Sequence, residues 1–375
     1  MRGGQFMDYI LELILKNEDQ QLDKILSEQA TKRGSNPLEL TMKNFEEMFV
    51  FASFARSVRC LTVLTKYGLI DVNFLASLRT SLHGLPVTPL RIAVEYDNIA
   101  VVKWLCCHGA NVNNREAVWS TKSDEITSGS FISSTCSVPC MTPLHFAQSA
   151  ACVKILLENG ADMSAQDCMG KTPVAMATLY GRFDVLEALC CHGAPLNLAS
   201  CWGATPLMYA QYGRSKSERV SATEILCRFG ADVDLQDRNG RTALHLAKDV
   251  ECVCLILAYH GDPSIETIFG KTALVTAAEN QRLDICRMLC DAQAVVSLGA
   301  LGRGSTLFCA ISRDTQAWLM ECSRNVRQLS HLCRCVIRNQ LKLNYKNIFE
   351  GVRRLPLPTP LETYVSFNMK DQILK

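Results

Sequence analysis

The sequence lacks both a strong excess of charge of either sign and a long hydrophobic run. Its 39 Lys and Arg residues nearly cancel its 37 Asp and Glu residues, so the formal net charge is only +2. Such a balance creates no strong field to attract nucleic acid or an anionic membrane. No apolar run approaches the roughly 20 residues of a membrane-spanning helix, and the apolar stretch 10–15 is too short for a signal peptide. We therefore expect a globular chain in the cytoplasm or nucleus, with no nucleic acid or membrane among its partners.

The sequence also lacks an export signal and any Cys-x-x-Cys pair, which decides how its 19 cysteines are interpreted. Disulfide frameworks are typical of small secreted chains. The pairs Cys107-His108 and Cys191-His192 have no companion pair with zinc-ligand spacing. We expect reduced thiols, no metal and no cofactor. Cysteines in apolar helical segments should pack as small hydrophobes, and this group includes Cys106, Cys107, Cys190, Cys191, Cys227, Cys286 and Cys290.

A repeat with a period near 33 residues organises most of the chain. Its mark is Thr-Pro-Leu-His or a close variant, and an alanine stands five residues after each start. The successive steps are 30, 33, 37, 30 and 33 residues. Weaker copies start at Glu47 and Thr88. The clearest copies start at Thr142, Thr172, Thr205, Thr242, Thr272 and Ser305, and their alanines are Ala147, Ala177, Ala210, Ala247, Ala277 and Ala310.

Each residue type in the repeat pattern has a structural role. Threonine is a good helix N-cap, and proline is tolerated at the first helical position because its missing N–H needs no partner there. The alanine lets neighbouring helices approach closely, and an apolar second helix packs against the next repeat. Glycines with φ > 0 should end the second helices, and they are Gly68, Gly109, Gly160, Gly193, Gly230 and Gly261.

This pattern resembles the ankyrin repeat, and the resemblance covers about residues 45–320. It implies an all-α solenoid of about seven to eight helix pairs. Residues 1–44 carry a weaker copy, which we expect to form an ankyrin-like helical cap, with Leu11, Ile14 and Leu15 on its first helix.

An enzyme is a poor explanation of the chain. His145 and His245 occupy the histidine position of the repeat mark, where the ring steadies the turn. No Gly-rich phosphate loop or carboxylate constellation accompanies them. We therefore set a Cys/His hydrolase aside and predict no catalytic residues.

Two spacings break the rhythm. Glu47 and Thr88 are separated by about eight residues more than one period, and 54 residues separate Thr88 from Thr142, about 21 more than one period. The larger excess predicts an inserted finger loop near residues 113–141. Inserts in solenoids often project from the binding face, so Trp119, Phe131 and Ile132 are candidate substrate contacts. The alternative is a neutral insert that touches nothing. Trp202, at another finger tip, is either a substrate contact or a loop anchor.

After the last repeat, residues 326–341 read as a helix with one apolar stripe. An extended turn, Leu355-Pro356-Leu357-Pro358, follows, because proline cannot continue a helix and restricts the residue before it. A partner must cover these apolar faces. The alternative is that the helix caps the solenoid. The stripe consists of Leu329, Leu332, Cys333, Val336, Ile337 and Leu341.

Residues 321–368 resemble a SOCS box, a small three-helix module. Leu329, Cys333 and Ile337 fill the places of its elongin-binding core, with Leu332 and Val336 beside them. The turn Leu355-Pro356-Leu357-Pro358 is similar to its cullin-5-selecting half.

Ankyrin repeats followed by this box are the arrangement of the ankyrin repeat and SOCS box protein family. The resemblance implies a non-catalytic substrate receptor that binds elongin C with elongin B, then cullin-5 carrying a RING protein. An unknown target protein would bind the ankyrin surface and be ubiquitinated. The other possibility is an ankyrin scaffold without ligase function.

Overall fold

The computed structural model describes residues 3–31, 42–67, 72–74, 76–77, 86–116 and 141–291. The predicted repeat at Ser305 and the predicted box at 321–368 lie outside these described residues. The chain divides into two compact units. The first consists of Met1–Ala177 and Asp184–Pro195, and the second of Thr178–Phe183 and Leu196–Lys375. Among the described helices, none is long and apolar enough to cross a membrane.

The first unit is built from helix pairs that follow one another along the chain. A 3-10 helix, Pro143–Phe146, takes the place of the first helix in one pair. The α-helices are α1 (Gly3–Leu15), α2 (Asp19–Thr31), α3 (Met42–Phe54), α4 (Val58–Tyr67), α5 (Pro89–Glu95), α6 (Ile99–Cys107) and α7 (Ala150–Glu158). Two further helices, α8 (Pro173–Leu179) and α9 (Phe183–Cys191), each contain residues of both units.

The second unit continues the same pattern with three helix pairs among its described residues. They are α10 (Pro206–Ala210) with α11 (Lys216–Arg228), α12 (Ala243–Leu246) with α13 (Val250–Ala258), and α14 (Ala273–Glu279) with α15 (Leu283–Asp291). The all-α solenoid is thereby confirmed. Its small exception in the described residues is an antiparallel ladder of two residues per strand, β1 (Ala76–Ser77) with β2 (Pro86–Val87).

Within each unit the helices form two layers. First helices pack against first helices, as in α1 with α3 and α3 with α5, and second helices against second helices, as in α2 with α4 and α4 with α6. In the second unit α10, α12 and α14 form one layer, and α11, α13 and α15 the other. The alanines of the repeat mark lie between layers, and Ala52, Ala93 and Ala147 are completely buried. Because no side chain longer than a methyl group intervenes there, the helices approach closely.

The helix starts follow the predicted chemistry. Thr88 is the N-cap of α5 and its hydroxyl oxygen accepts a hydrogen bond from the backbone N–H of Arg91. Thr172 and Thr272 accept in the same way from Ala175 and Val275. These bonds satisfy N–H groups that have no partner inside the helix.

The histidines of the repeat mark tie one repeat to the next. The backbone N–H of Thr142 donates to Nδ1 of His145 over 3.1 Å. Nε2 therefore carries the proton, and it donates to the carbonyl oxygen of Lys171 over 3.1 Å. His245 makes the equivalent bonds to Thr242 and to the carbonyl oxygen of Lys271. The rings are structural linkers, as the sequence predicted.

The ends of the second helices confirm most of the predicted glycines but correct one. Gly109, Gly160, Gly193 and Gly230 have φ between 79° and 89°. Gly261 does not have positive φ; the left-handed residue after α13 is instead His260, with φ of 73°. Gly261 takes the place that alanine takes elsewhere, and its N–H bonds to the carbonyl oxygen of Ile256, as Ala161 bonds to Leu156. Gly68 lies outside the described residues.

The N-terminal segment forms two helices, with a turn between them at Asn17, whose φ is 58°. Its buried stripe is shifted from the prediction. Ile10, Leu13 and Ile14 are buried, whereas Leu15 is 53% exposed. The stripe follows the 3.6-residue period from Ile10, which places Leu15 on the solvent side.

Candidate protein-interaction surface

Short hairpins between the helix pairs project as fingers, and one side chain organises each of the regular ones. It is a carboxylate at Asp167 and Asp237 and a hydroxyl at Ser200 and Thr267. In the hairpin 167–171, Oδ1 of Asp167 accepts bonds from the backbone N–H groups of Met169 and Lys171 over 2.9 and 2.7 Å. The N–H of Asp167 donates to the carbonyl oxygen of Lys171 over 2.9 Å. Asp237 organises the hairpin 237–241 in the same way. A three-residue turn is therefore the normal finger.

The predicted insert replaces one such turn. Glu116 and Met141 form an isolated antiparallel bridge, with N···O distances of 2.9 and 3.2 Å. Glu116 thus occupies the position of Asp167, and Met141 that of Lys171. Residues 117–140 stand where residues 168–170 form a turn in the next finger, which accounts for the 21 extra residues. A single backbone pair therefore joins the two ends of the insert, which are 25 positions apart in sequence.

The root of the insert contains a buried carboxyl group. Glu116 is only 2% exposed and accepts hydrogen bonds from the backbone N–H of Thr88, over 3.1 Å, and from the Thr88 hydroxyl. Its second oxygen lies 3.9 Å from Arg91, which in turn lies over the ring of Phe146. Burial raises the pKa of Glu116 to about 7, although the bonds from Thr88 and the charge of Arg91 oppose this effect.

Three finger tips in the second unit form a row. The backbone N–H of Arg238 donates to the carbonyl oxygen of Trp202 over 3.0 Å, and that of Ile268 to the carbonyl oxygen of Asn239 over 3.1 Å. Trp202, Ile268 and Phe269 are 44%, 64% and 73% exposed. We call the tip residues 201–202, 238–239 and 268–269 the tip row.

Trp202 is thus placed at a tip, as predicted. Its own finger is held through the Trp202 main chain: its N–H donates to the Ser200 hydroxyl, and its carbonyl oxygen accepts from the backbone N–H of Arg238. These bonds do not involve the indole ring. The remaining predicted site residues lie outside the described residues. They are Trp119, Phe131 and Ile132 in the insert, Leu329, Leu332, Cys333, Val336 and Ile337 for elongin, and Leu355, Pro356, Leu357 and Pro358 for the cullin.

Exposed aromatic residues at the junctions between paired helices were missed by the sequence interpretation. Phe54 and Tyr96 are 45% and 47% exposed, and their rings meet edge to face with centroids 4.7 Å apart. Tyr180 stands in the same kind of loop and is 52% exposed. The position of these aromatic residues could have revealed them. Each one ends or follows the first helix of a repeat, one or two positions before a left-handed residue such as Arg56 or Asp97.

The cysteines divide into two groups. Cys106, Cys152, Cys190 and Cys227 are buried, and burial raises the pKa of Cys106 to about 11 and that of Cys152 and Cys227 to about 12. A buried thiol of this kind is a poor nucleophile. Other buried thiols of the described helices are Cys60, Cys252, Cys254 and Cys286.

The prediction that Cys107 and Cys191 pack as hydrophobes was wrong, because both are exposed. The neighbouring histidines turn back onto their own helices: Nδ1 of His108 bonds to the carbonyl oxygen of Trp104, and Nδ1 of His192 to that of Ala188. In the described ranges, no three His, Cys, Asp or Glu residues are grouped so that they could hold a metal ion. Cys290 has no described side chain.

Family models match the chain in two regions. Models of ankyrin repeats match residues 87–117, 130–200 and 192–265, so the chain is an ankyrin-repeat protein. A model of the SOCS box matches residues 325–366. The chain therefore combines ankyrin repeats with a C-terminal SOCS-box match.

Three curated relatives each match about a third to two fifths of the chain. Human Rabankyrin-5 is 33% identical over 128 residues, which are 32% of this chain and 11% of that protein. The chicken nuclear factor NF-kappa-B p105 subunit is 32% identical over 148 residues, 36% of this chain and 15% of the relative. The human transient receptor potential cation channel subfamily A member 1 is 28% identical over 172 residues, 43% of this chain and 13% of the channel. The chain thus spans about a tenth to a seventh of these relatives' lengths.

Proposed function

We propose that this protein is the substrate-recognition subunit of an elongin B/C–cullin-5–RING ubiquitin ligase. The observation that carries the proposal is the combination of a SOCS-box match at 325–366 with an ankyrin array in the same chain. The array would hold the target protein, and the box would connect it to the ligase. Transfer of ubiquitin to the target would lead to its degradation by the proteasome. The chain itself contributes no catalytic group in this proposal.

The elongin contact is assigned to one helix stripe. Leu329, Cys333 and Ile337 are spaced i, i+4 and i+8, so on a helix they form one apolar row that fits a hydrophobic groove. Leu332 and Val336 flank this row. Cys333 acts there as a small buried anchor.

The cullin contact is assigned to the segment Leu355 to Pro358. Each proline restricts φ of its own residue and the conformation of the residue before it, so this turn is preset before binding. A preset backbone lowers the ordering cost of an interface. Mutations in the two halves of the box, which we place at 321–368, should therefore affect elongin and cullin binding differently.

The target contact is assigned to fingers of the ankyrin part, placed at 45–320. Trp119, Phe131 and Ile132 in the insert and Trp202 at its tip are the proposed contacts. Trp202 supports this assignment because 44% of it is exposed while its finger is held by backbone bonds.

Pull-downs of the full chain test the ligase connection. Central apolar anchors of interfaces contribute about 2 kcal/mol or more each, so Leu329→Ala with Cys333→Phe should weaken elongin C binding by roughly a thousandfold, and cullin-5 should be lost with it. The matched variant Leu355→Ala with Pro356→Ala and Pro358→Ala should keep elongin C and lose cullin-5. If the folded helix variant retains elongin C, the chain is instead a scaffold whose last helix caps the solenoid.

A further inference from the structure

The tip row is a continuous, rigid surface. An added Cβ at Gly203 would lie 2.8 Å from the backbone nitrogen of Arg238, and one at Gly240 would lie 2.7 Å from that of Ile268. Only glycine allows neighbouring fingers to come this close. Together with the two interfinger hydrogen bonds, these contacts hold the three tips in a set order. A partner that binds the row therefore meets a surface that needs little further ordering.

The row exposes large apolar side chains that are not needed by the core. Ile268 and Phe269 are the two most exposed large hydrophobic residues among those described, and Trp202 stands two fingers before them. Contiguous exposed apolar groups are typical of protein-binding sites, and aromatic residues dominate the energetic centres of interfaces. The row therefore fits a partner with apolar side chains.

The charged residues of the row determine which side chain of a partner fits between the two apolar contacts. Asp237 is 8% exposed and pairs with Arg241 over 2.7 Å, and Lys271 pairs with Glu279 over 2.9 Å. Arg238 is exposed at the middle tip and forms no ion pair within the described part of the chain. The exposed Glu266 stands at the base of the third hairpin, where it pairs through the backbone with Thr272. The middle of the row thus presents a positive charge.

The spacing of the row limits the shape of its partner. Residues joined across a backbone hydrogen bond lie about 5 Å apart, and consecutive residues 3.8 Å, so the Cα atoms of Trp202 and Phe269 are at most about 18 Å apart. An extended chain advances about 3.3 Å per residue, with alternate side chains on one face. Two residues four or six positions apart in an extended segment span about 13 or 20 Å, so such a pair can reach both ends of the row from the same face.

We infer that the tip row binds an extended segment of the target protein in which two apolar side chains four or six residues apart flank an acidic side chain. The apolar side chains contact Trp202 at one end and Ile268 and Phe269 at the other, and the carboxylate pairs with Arg238. This inference rests on the proposed receptor function, because it names the class of target segment that the receptor captures.

A displayed library of random 12-residue peptides, selected on the immobilised full chain, tests the inference. Selection should enrich peptides with two apolar residues four or six apart and Asp or Glu at an even position between them. Binding of the best peptide should fall at least tenfold with Trp202→Ser, Ile268→Ser and Phe269→Ser combined. The matched control, Leu15→Ser, removes another exposed apolar residue and should leave binding unchanged.

Reversal of the charge at Arg238 is the most specific test, and it does not require the triple variant to fold. On Arg238→Glu, the selected residue between the apolar positions should change from Asp or Glu to Lys or Arg. Selection of the same acidic peptides on Arg238→Glu, or equal binding to the folded triple variant, would overturn the inference. Failure to enrich any motif on the wild type would overturn it as well.

Elongin C binding, measured on the same preparations, separates this inference from the proposed function. Peptide enrichment without elongin C binding contradicts the ligase proposal and leaves the peptide surface standing as a scaffold site. Elongin C binding with the wrong peptide specificity contradicts only the tip-row inference.

Discussion

At the residue scale, Gly160 and His260 occupy equivalent places in two repeats. Each follows the C-cap of a second helix with positive φ, 83° for the glycine and 73° for the histidine. A left-handed backbone costs a residue with a Cβ roughly 1–2 kcal/mol more than glycine. The same backbone penalty can therefore be added by a substitution at Gly160 and removed by a substitution at His260.

Reciprocal substitutions should reveal this cost. Gly160→Ala should lower the free energy of unfolding by about 1 kcal/mol, since no atom lies within 4 Å of the added Cβ and only the backbone conformation is penalised. His260→Gly should raise it by a similar amount. Urea unfolding followed by circular dichroism measures both. Equal stability of Gly160→Ala and wild type would show that the left-handed conformation is not maintained in solution.

Glu116 should make stability depend on pH. Its folded pKa is raised from 4.5 to about 7, so the folded state keeps the proton over a range in which the unfolded state loses it. The free energy of unfolding should therefore fall as pH rises from about 4.5 to 7, by up to about 3 kcal/mol. Burial lowers the pKa of His145 and His245, which gives the opposite slope below pH 6.5.

The variant Glu116→Gln isolates the carboxyl from the histidines. The difference in stability between wild type and this variant, measured by urea unfolding from pH 4 to 8, should change across pH 4.5–7 in the stated direction. A difference that is constant with pH would show that the Glu116 carboxyl is not buried as described.

Residue-scale errors of the sequence interpretation have a common cause. The pattern identified helices but not the rotation of each residue around them. Cys106 and Cys107 are neighbours about 100° apart, so only one of them can face the core, and the buried one is Cys106. Gly261 was assigned to the left-handed position only because it is a glycine. In the structure the N–H of Gly261 bonds to the carbonyl oxygen of Ile256, and the preceding residue, His260, takes the left-handed conformation.

At the element scale, the insert is attached through one backbone pair and the buried Glu116 at its root. Its position was predictable from the 21-residue excess in the repeat spacing. The root chemistry was not, because Thr88 and Glu116 are 28 residues apart and meet only when the repeat folds.

Replacing residues 117–140 with Arg-Asn-Gly, the turn of the finger 237–241, should preserve the fold. The closure cost of a loop grows only with the logarithm of its length, so this shortening should leave the melting temperature unchanged or raise it by a few degrees, equivalent to at most about 2 kcal/mol. Thermal unfolding by circular dichroism gives the answer. A drop of more than about 5 °C would indicate that the insert packs against the solenoid.

At the scale of the whole molecule, the repeat period predicted the architecture because each repeat buries its apolar face against its neighbours. The period says nothing about which surface binds a target. That information lies in the tip residues, such as Trp202, Arg238 and Phe269, which differ between repeats while the helices stay similar. The SOCS-box assignment comes from the spacing of residues 329–358 and the family match at 325–366.

The most direct test of the central claim is the mass of complexes formed by the purified full chain with elongin B and elongin C. Size-exclusion chromatography with light scattering should show one copy of each of the three chains in a single peak, and Leu329→Ala with Cys333→Phe should abolish this peak. Addition of cullin-5 should increase the mass by one further chain. Separate elution of a folded chain from the elongins would contradict the claim that this protein is a ligase substrate receptor.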